Sequence, residues 1–148
     1  MKTLIIILNI AAFLQTTILP LNLVAIILIC RSYIRSDRTN LFLAFFFGLL
    51  TSHLSLRPLG FDSLIYLLII LIVQLVATSR LSQHPFWILP ISFSALFLNL
   101  IAFQLVSHQS IQLFPQILIE TVLSIPIFYV IKIWEERFIV RKDIKLRI

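Results

Sequence analysis

The chain alternates long runs of aliphatic and aromatic residues with short polar breaks. Residues 4–19, 21–34, 41–54, 64–78, 86–106 and 116–134 are apolar runs that read as six helices. Each lies near or below the roughly 20 residues that a bilayer core takes in helical form. Pro20, Pro85 and Pro115 stand just ahead of three of these runs, where a helix start tolerates a missing N–H. The first two runs could instead form one helix from Leu4 to Cys30 kinked at Pro20. Gln15-Thr16-Thr17 ahead of that proline reads as a short turn and favours two helices. Lys2 followed by Leu4 to Leu8 has the start of a signal peptide, but no small-x-small cleavage site follows, so a retained helix is expected.

Leu41 to Leu67 holds both glycines of the chain and is expected to be the central hairpin. Ala44 and Gly48 are four residues apart and share one helical face, where small side chains let a neighbouring backbone approach closely. Regular helix cannot run past Arg57 in the corner Ser52-His53-Leu54-Ser55-Leu56-Arg57-Pro58-Leu59-Gly60. Proline disfavours helical geometry in the residue before it, and Gly60 suits a turn.

Composition fixes the solvent. Apolar residues make up 60% of the 148 and charged residues 12%, against about 25% charged in soluble domains, and the mean hydropathy is +1.07. These values predict an all-α integral membrane protein forming one transmembrane domain over residues 1–148. The net charge of +6 could suit nucleic acid, but the cations lie between apolar runs rather than along one face with stacking aromatics, so no nucleic-acid partner is expected. With six spans and both termini cytoplasmic, eleven of the twelve Lys and Arg fall inside and only Arg57 outside, as the positive-inside rule requires. Tyr33, Trp87 and Trp134 fall beside the same inner loops, at headgroup level.

Few residues within the runs carry chemistry. Glu120 is an acid well inside the sixth span and must face protein or a wet cavity. Asn9, Gln15, Asn22, Gln74, Asn99 and Gln104 also lie in apolar runs, where each amide needs a partner, most simply on another helix. His53, His84 and His108 do not all belong to one side, too few for a zinc site, so no metal or cofactor is expected. Cys30 is the only cysteine and reads as a small apolar filler. No nucleophile–base–acid set, phosphate loop or HExxH motif occurs, so no enzyme activity is expected. The segment after residue 134 mixes apolar residues with Arg137, Arg141, Lys142, Lys145 and Arg147. Such a tail suits an anionic inner leaflet or a cytosolic partner.

Several of these features together resemble the rod shape-determining MreD family: Leu14-Gln15, Pro20 opening the second helix, the run Ala44-Phe45-Phe46-Phe47-Gly48-Leu49-Leu50-Thr51-Ser52, Leu59-Gly60, and Pro126 in the last helix ahead of a basic tail. Ser52 departs from the family pattern, which usually has Asp there; serine keeps the hydrogen bonding and loses the charge. The resemblance implies a non-enzymatic scaffold subunit of the bacterial cell-elongation machinery in the cytoplasmic membrane. It implies binding to the bitopic protein MreC, and an indirect link to RodA, its penicillin-binding transpeptidase and MreB. Ala44, Gly48, Ser52, Leu59 and Gly60 would then form the packing or partner face. The family fold is also similar to the S components of energy-coupling factor transporters. In that alternative, Glu120, Asn99 and Gln104 would line an outward pocket for a vitamin-sized ligand, although the first helix offers only Ala11-Ala12 where an Ala-x-x-x-Ala docking strip is usual.

Overall fold

A computed structural model describes residues 2–18, 21–56, 58–78, 85–107 and 113–138. These residues form six α-helices: α1 (Lys2–Thr17), α2 (Leu23–Ile34), α3 (Arg38–Leu54), α4 (Phe61–Thr78), α5 (Ile88–Ser107) and α6 (Leu113–Phe138), with a 3-10 turn at Pro85–Trp87 leading into α5. Pro20, Arg57, Arg80, His84, His108 and the tail from residue 139 lie outside the described residues. Helices α4, α5 and α6 are long and apolar enough to cross a membrane, and α1 and α2 are apolar but shorter.

The first apolar stretch is two helices, with α1 ending at Thr17 and α2 starting at Leu23. Four helices begin earlier than the apolar runs do: α1 at Lys2, α6 at Leu113 and, reaching into polar sequence, α3 at Arg38 and α4 at Phe61 rather than at Leu41 and Leu64. The polar residues at these starts are absorbed rather than expelled. Asn40, Asp62 and Ser63 are all buried, and the bonds described below satisfy them.

The organising element is α2, not the α3–α4 hairpin, for α2 packs against each of the other five helices. Val24, Ala25, Ile26, Leu28, Ile29 and Cys30 are all buried, and a helix apolar on every side is stable only when surrounded. Around it, α1 contributes the face Leu4, Leu8, Ala11 and Ala12, α4 contributes Ile65, Ile69, Ile70 and Val73, and α6 contributes Phe128 and Ile131. The α3–α4 pair remains the most extensive single contact.

The surface is largely apolar: Ile6, Phe13, Phe42, Phe46, Leu75, Leu105 and Val130 are exposed, while Ser52, Asn99, Glu120, Ser124 and Glu135 are buried. Soluble proteins do not expose apolar surface on this scale. The distribution suits a chain solvated by hydrocarbon, where polar groups must find partners inside.

Candidate functional site

The hairpin corner between α3 and α4 is built from direct backbone contact. Ala44 and Gly48 are buried on α3, and a Cβ on Gly48 would overlap the backbone of Ser63 on α4. Two serines fasten the same pair. Ser63 Oγ donates to the carbonyl of Phe45 at 3.1 Å, and Ser52 Oγ accepts from the backbone N–H of Asp62 at 3.2 Å. The second bond satisfies one of the free donors that any helix start presents. Ser52 therefore acts as a cap supplied to α4 by its neighbour, and the acidic group at this corner is Asp62, buried in the first turn of α4.

The chain leaves α3 through Ser55, whose N–H returns to Thr51 O at 2.9 Å, and Leu56, whose φ of +52° is left-handed, the usual stop for a helix. It enters α4 through Gly60, with φ +91°. The expected face thus divides in two. Ala44, Gly48 and Ser52 are consumed inside the chain, whereas Leu59 is exposed and a Cβ on Gly60 would meet open space.

Glu120 projects from α6 to the start of α2. Its Oε1 accepts from the backbone N–H of Asn22 at 3.0 Å, from Asn22 Nδ2 at 3.3 Å and from Gln116 Nε2 at 3.1 Å. Gln15 of α1 completes the arrangement by accepting from Val24 N–H at 3.2 Å. A carboxylate and an amide oxygen thus terminate the positive end of the central helix. Asn99 is buried on α5 and Gln104 is half-buried, and neither shares a hydrogen bond with Glu120 in this arrangement. Three clefts among the described residues are lined by other side chains, and Glu120, Asn99 and Gln104 line none of the three.

The far end of α2 holds a second polar cluster that sequence reasoning missed. Arg31, buried in the last turn of α2, donates from Nε to Glu135 Oε1 of α6 at 3.2 Å and from Nη1 to Asn40 Oδ1 of α3 at 2.7 Å. Asn40 Nδ2 donates to Arg35 O at 2.6 Å, and Gln74 of α4 donates to Asp37 O at 3.0 Å. Four helices are tied together there. Arg31 reads as a loop charge and Glu135 as part of a basic tail because both stand at the edge of an apolar run. The available signal was Glu135 itself, an acid among cations at the end of an apolar run.

Between the two ends, the inward face of α6 carries Thr121 and Ser124, and Ser124 Oγ meets Ser92 Oγ of α5 at 3.0 Å. Cys30 points its thiol at Ser124 O, 3.5 Å away, a packed position with a weak bond. Among the six amides, Gln15, Asn22 and Gln74 bond across helices, while Asn9 bonds within its own helix to Ile5 O.

No group of three or more His, Cys, Asp or Glu side chains that could hold a metal ion occurs among the described residues. Of the basic residues expected to meet lipid or a cytosolic partner, Arg137 is exposed at the end of α6, and Arg141, Lys142, Lys145 and Arg147 lie outside the described residues. No family model, curated protein or solved structure matches this chain.

Proposed function

We propose that this chain is a non-enzymatic scaffold of the MreD type, a six-span subunit of the bacterial cytoplasmic membrane with both termini in the cytosol. It binds MreC and, through it, serves the cell-elongation complex with RodA, the penicillin-binding transpeptidase and MreB. The observation that carries the reading is the close α3–α4 hairpin, in which Ala44, Gly48 and Ser52, residues of the resemblance, are buried within the chain. There, Gly48 lies against the Ser63 backbone and Ser52 caps α4. A scaffold needs a rigid body more than a cleft, and both ends of α2 are bonded to α6.

The S-component reading has less support. Glu120 Oε1 is engaged by Asn22 and Gln116 of the same chain, and Ala11 and Ala12 are buried within the chain, leaving no small-residue strip there for a transporter. The test is co-expression with the MreC of the same organism. The scaffold reading expects the two to co-purify from membranes, and rod cells depleted of the chain to become round. A chain that purifies folded without MreC, and is stabilised by one member of a vitamin panel, would replace it.

A further inference from the structure

Helix α1 packs against α2 and α3 and, among the described residues, against no other element. Leu4, Leu8, Ala11 and Ala12 are its buried residues, and much of the remaining circumference is open: Ile6, Ile10 and Phe13 each keep more than half of their surface exposed. Asn9 stands at the edge of this open side, half-buried and about one turn from Ile6 and from Phe13.

The polar side chains near the end of α1 are satisfied where they stand. Thr16 Oγ1 donates to Ala12 O at 3.0 Å, Thr17 Oγ1 donates to Phe13 O, and Gln15 holds the start of α2. Asn9 is satisfied only in part. Its amide donates one N–H to Ile5 O at 2.9 Å, and among the described residues no other bond reaches the second N–H or Oδ1. Asn9 is the eighth of the 16 residues of α1, roughly 10–12 Å from either end at 1.5 Å per residue. A side chain this short cannot lift its amide to the headgroups as lysine or arginine can, and acyl chains offer neither donor nor acceptor. In hydrocarbon the free half of the amide is costly until another protein group meets it.

We infer that Asn9 pairs with Asn9 of a second copy of this chain, α1 against α1 across a two-fold axis normal to the membrane. Two features choose a second copy. The free half of the amide is one donor and one acceptor, so two such amides set face to face complete both bonds, and a two-fold contact sets a residue near its axis against itself. Copies inserted the same way also carry Asn9 at the same depth, whereas a different span would have to bring its own donor and acceptor to that level. Ile6 and Phe13, exposed to either side of Asn9, supply the apolar contact around the pair.

The inference rests on α1 crossing the membrane, as the six-span reading has it. The full chain, with Cys30→Ser and Ser36→Cys, is labelled with donor or acceptor dye and placed in phosphatidylglycerol–phosphatidylethanolamine vesicles at falling protein-to-lipid ratios. Energy transfer should report a dimer. Asn9→Leu should weaken it about three- to thirtyfold, the range for interhelical polar bonds in membranes, and Asn9→Gln, which keeps donor and acceptor, should retain most of it. With Cys30→Ser alone as background, oxidation should join Phe13→Cys into disulfide dimers and leave Phe46→Cys, on the exposed side of α3, unjoined.

Transfer no greater than random proximity gives, transfer unchanged by Asn9→Leu, or disulfides through Phe46→Cys rather than Phe13→Cys overturns the dimer. So does a Phe13→Cys chain that cross-links in native membranes only to a different protein. An Asn9→Cys thiol that reacts with impermeant maleimide in intact cells overturns α1 as a span, and the six-span scaffold with it. A shielded thiol without self-transfer overturns the dimer alone.

Discussion

A Cβ placed on Gly48 would stand 2.7 Å from the backbone nitrogen of Ser63 and nearer still to its Cα. The obstacle is main chain on a neighbouring helix, which cannot swing aside as a long side chain can. Gly48→Ala should therefore destabilise the folded chain by about 1–3 kcal/mol, the usual cost of overpacking, and Gly48→Leu should prevent the hairpin from closing. Gly60→Ala meets no steric obstacle and should cost only about 1 kcal/mol through its left-handed backbone. Unfolding in mixed detergent micelles, followed by circular dichroism, checks the order; a Gly48→Ala protein as stable as the parent would mean the helices are not in this contact.

Removing one member of the Arg31–Glu135 pair leaves the other buried without its opposite charge. Arg31→Ala or Glu135→Ala should each cost about 3–5 kcal/mol, whereas Arg31→Met with Glu135→Leu should recover most of the loss, since a buried pair is often replaceable by apolar residues of similar volume. Asn40→Leu should cost less than either, because the ion pair survives it. The same unfolding assay, run as a double-mutant cycle, measures the coupling.

Glu120 caps α2 through a single oxygen that collects three donors. Glu120→Gln keeps an oxygen acceptor and should stay within about 1 kcal/mol of the parent, whereas Glu120→Leu strands these donors and should cost about 1–3 kcal/mol. Hydrogen exchange of the Asn22 to Val24 amides locates the effect, with faster exchange expected in Glu120→Leu.

An aspartate at position 52 would place a second carboxylate at the corner that already buries Asp62. A helix start favours an anion, but two like charges in a dry site oppose each other. Ser52→Asp should therefore destabilise the chain, and adding Asp62→Asn should restore it to at least the stability of Ser52→Ala. If Ser52→Asp alone is as stable as the parent, the Asp62 side chain does not share this site.

Much of the helix layout was legible from the apolar runs, since each run became one helix. The helix starts were not, because hydropathy ejects Asn40 and Ser63 from a span, whereas hydrogen bonds to Arg35 and Phe45 let them stay within it. The small-residue face at Ala44 and Gly48 was visible as spacing, but its occupant, Ser63 of the same chain, depended on how two helices cross. Glu120 stood out as an acid in an apolar run, while its partner Asn22 lies 98 residues away and no local pattern connects them. The central place of α2 had a signal in hindsight: a stretch from Leu23 to Cys30 with neither charge nor aromatic ring, whereas α3 carries phenylalanines that face outward at Phe42, Phe45 and Phe46.

The most direct test of the six-span scaffold is the side of the membrane that each turn faces. With Cys30 replaced by serine, single cysteines at 36, 55 and 110 can be treated with an impermeant maleimide in intact cells and again after permeabilisation. The account predicts that 55 and 110 react in intact cells and that 36 reacts only once the membrane is opened. Positions 36 and 110 reacting from the same side would contradict it, because α3, α4 and α5 could not then cross the membrane in turn.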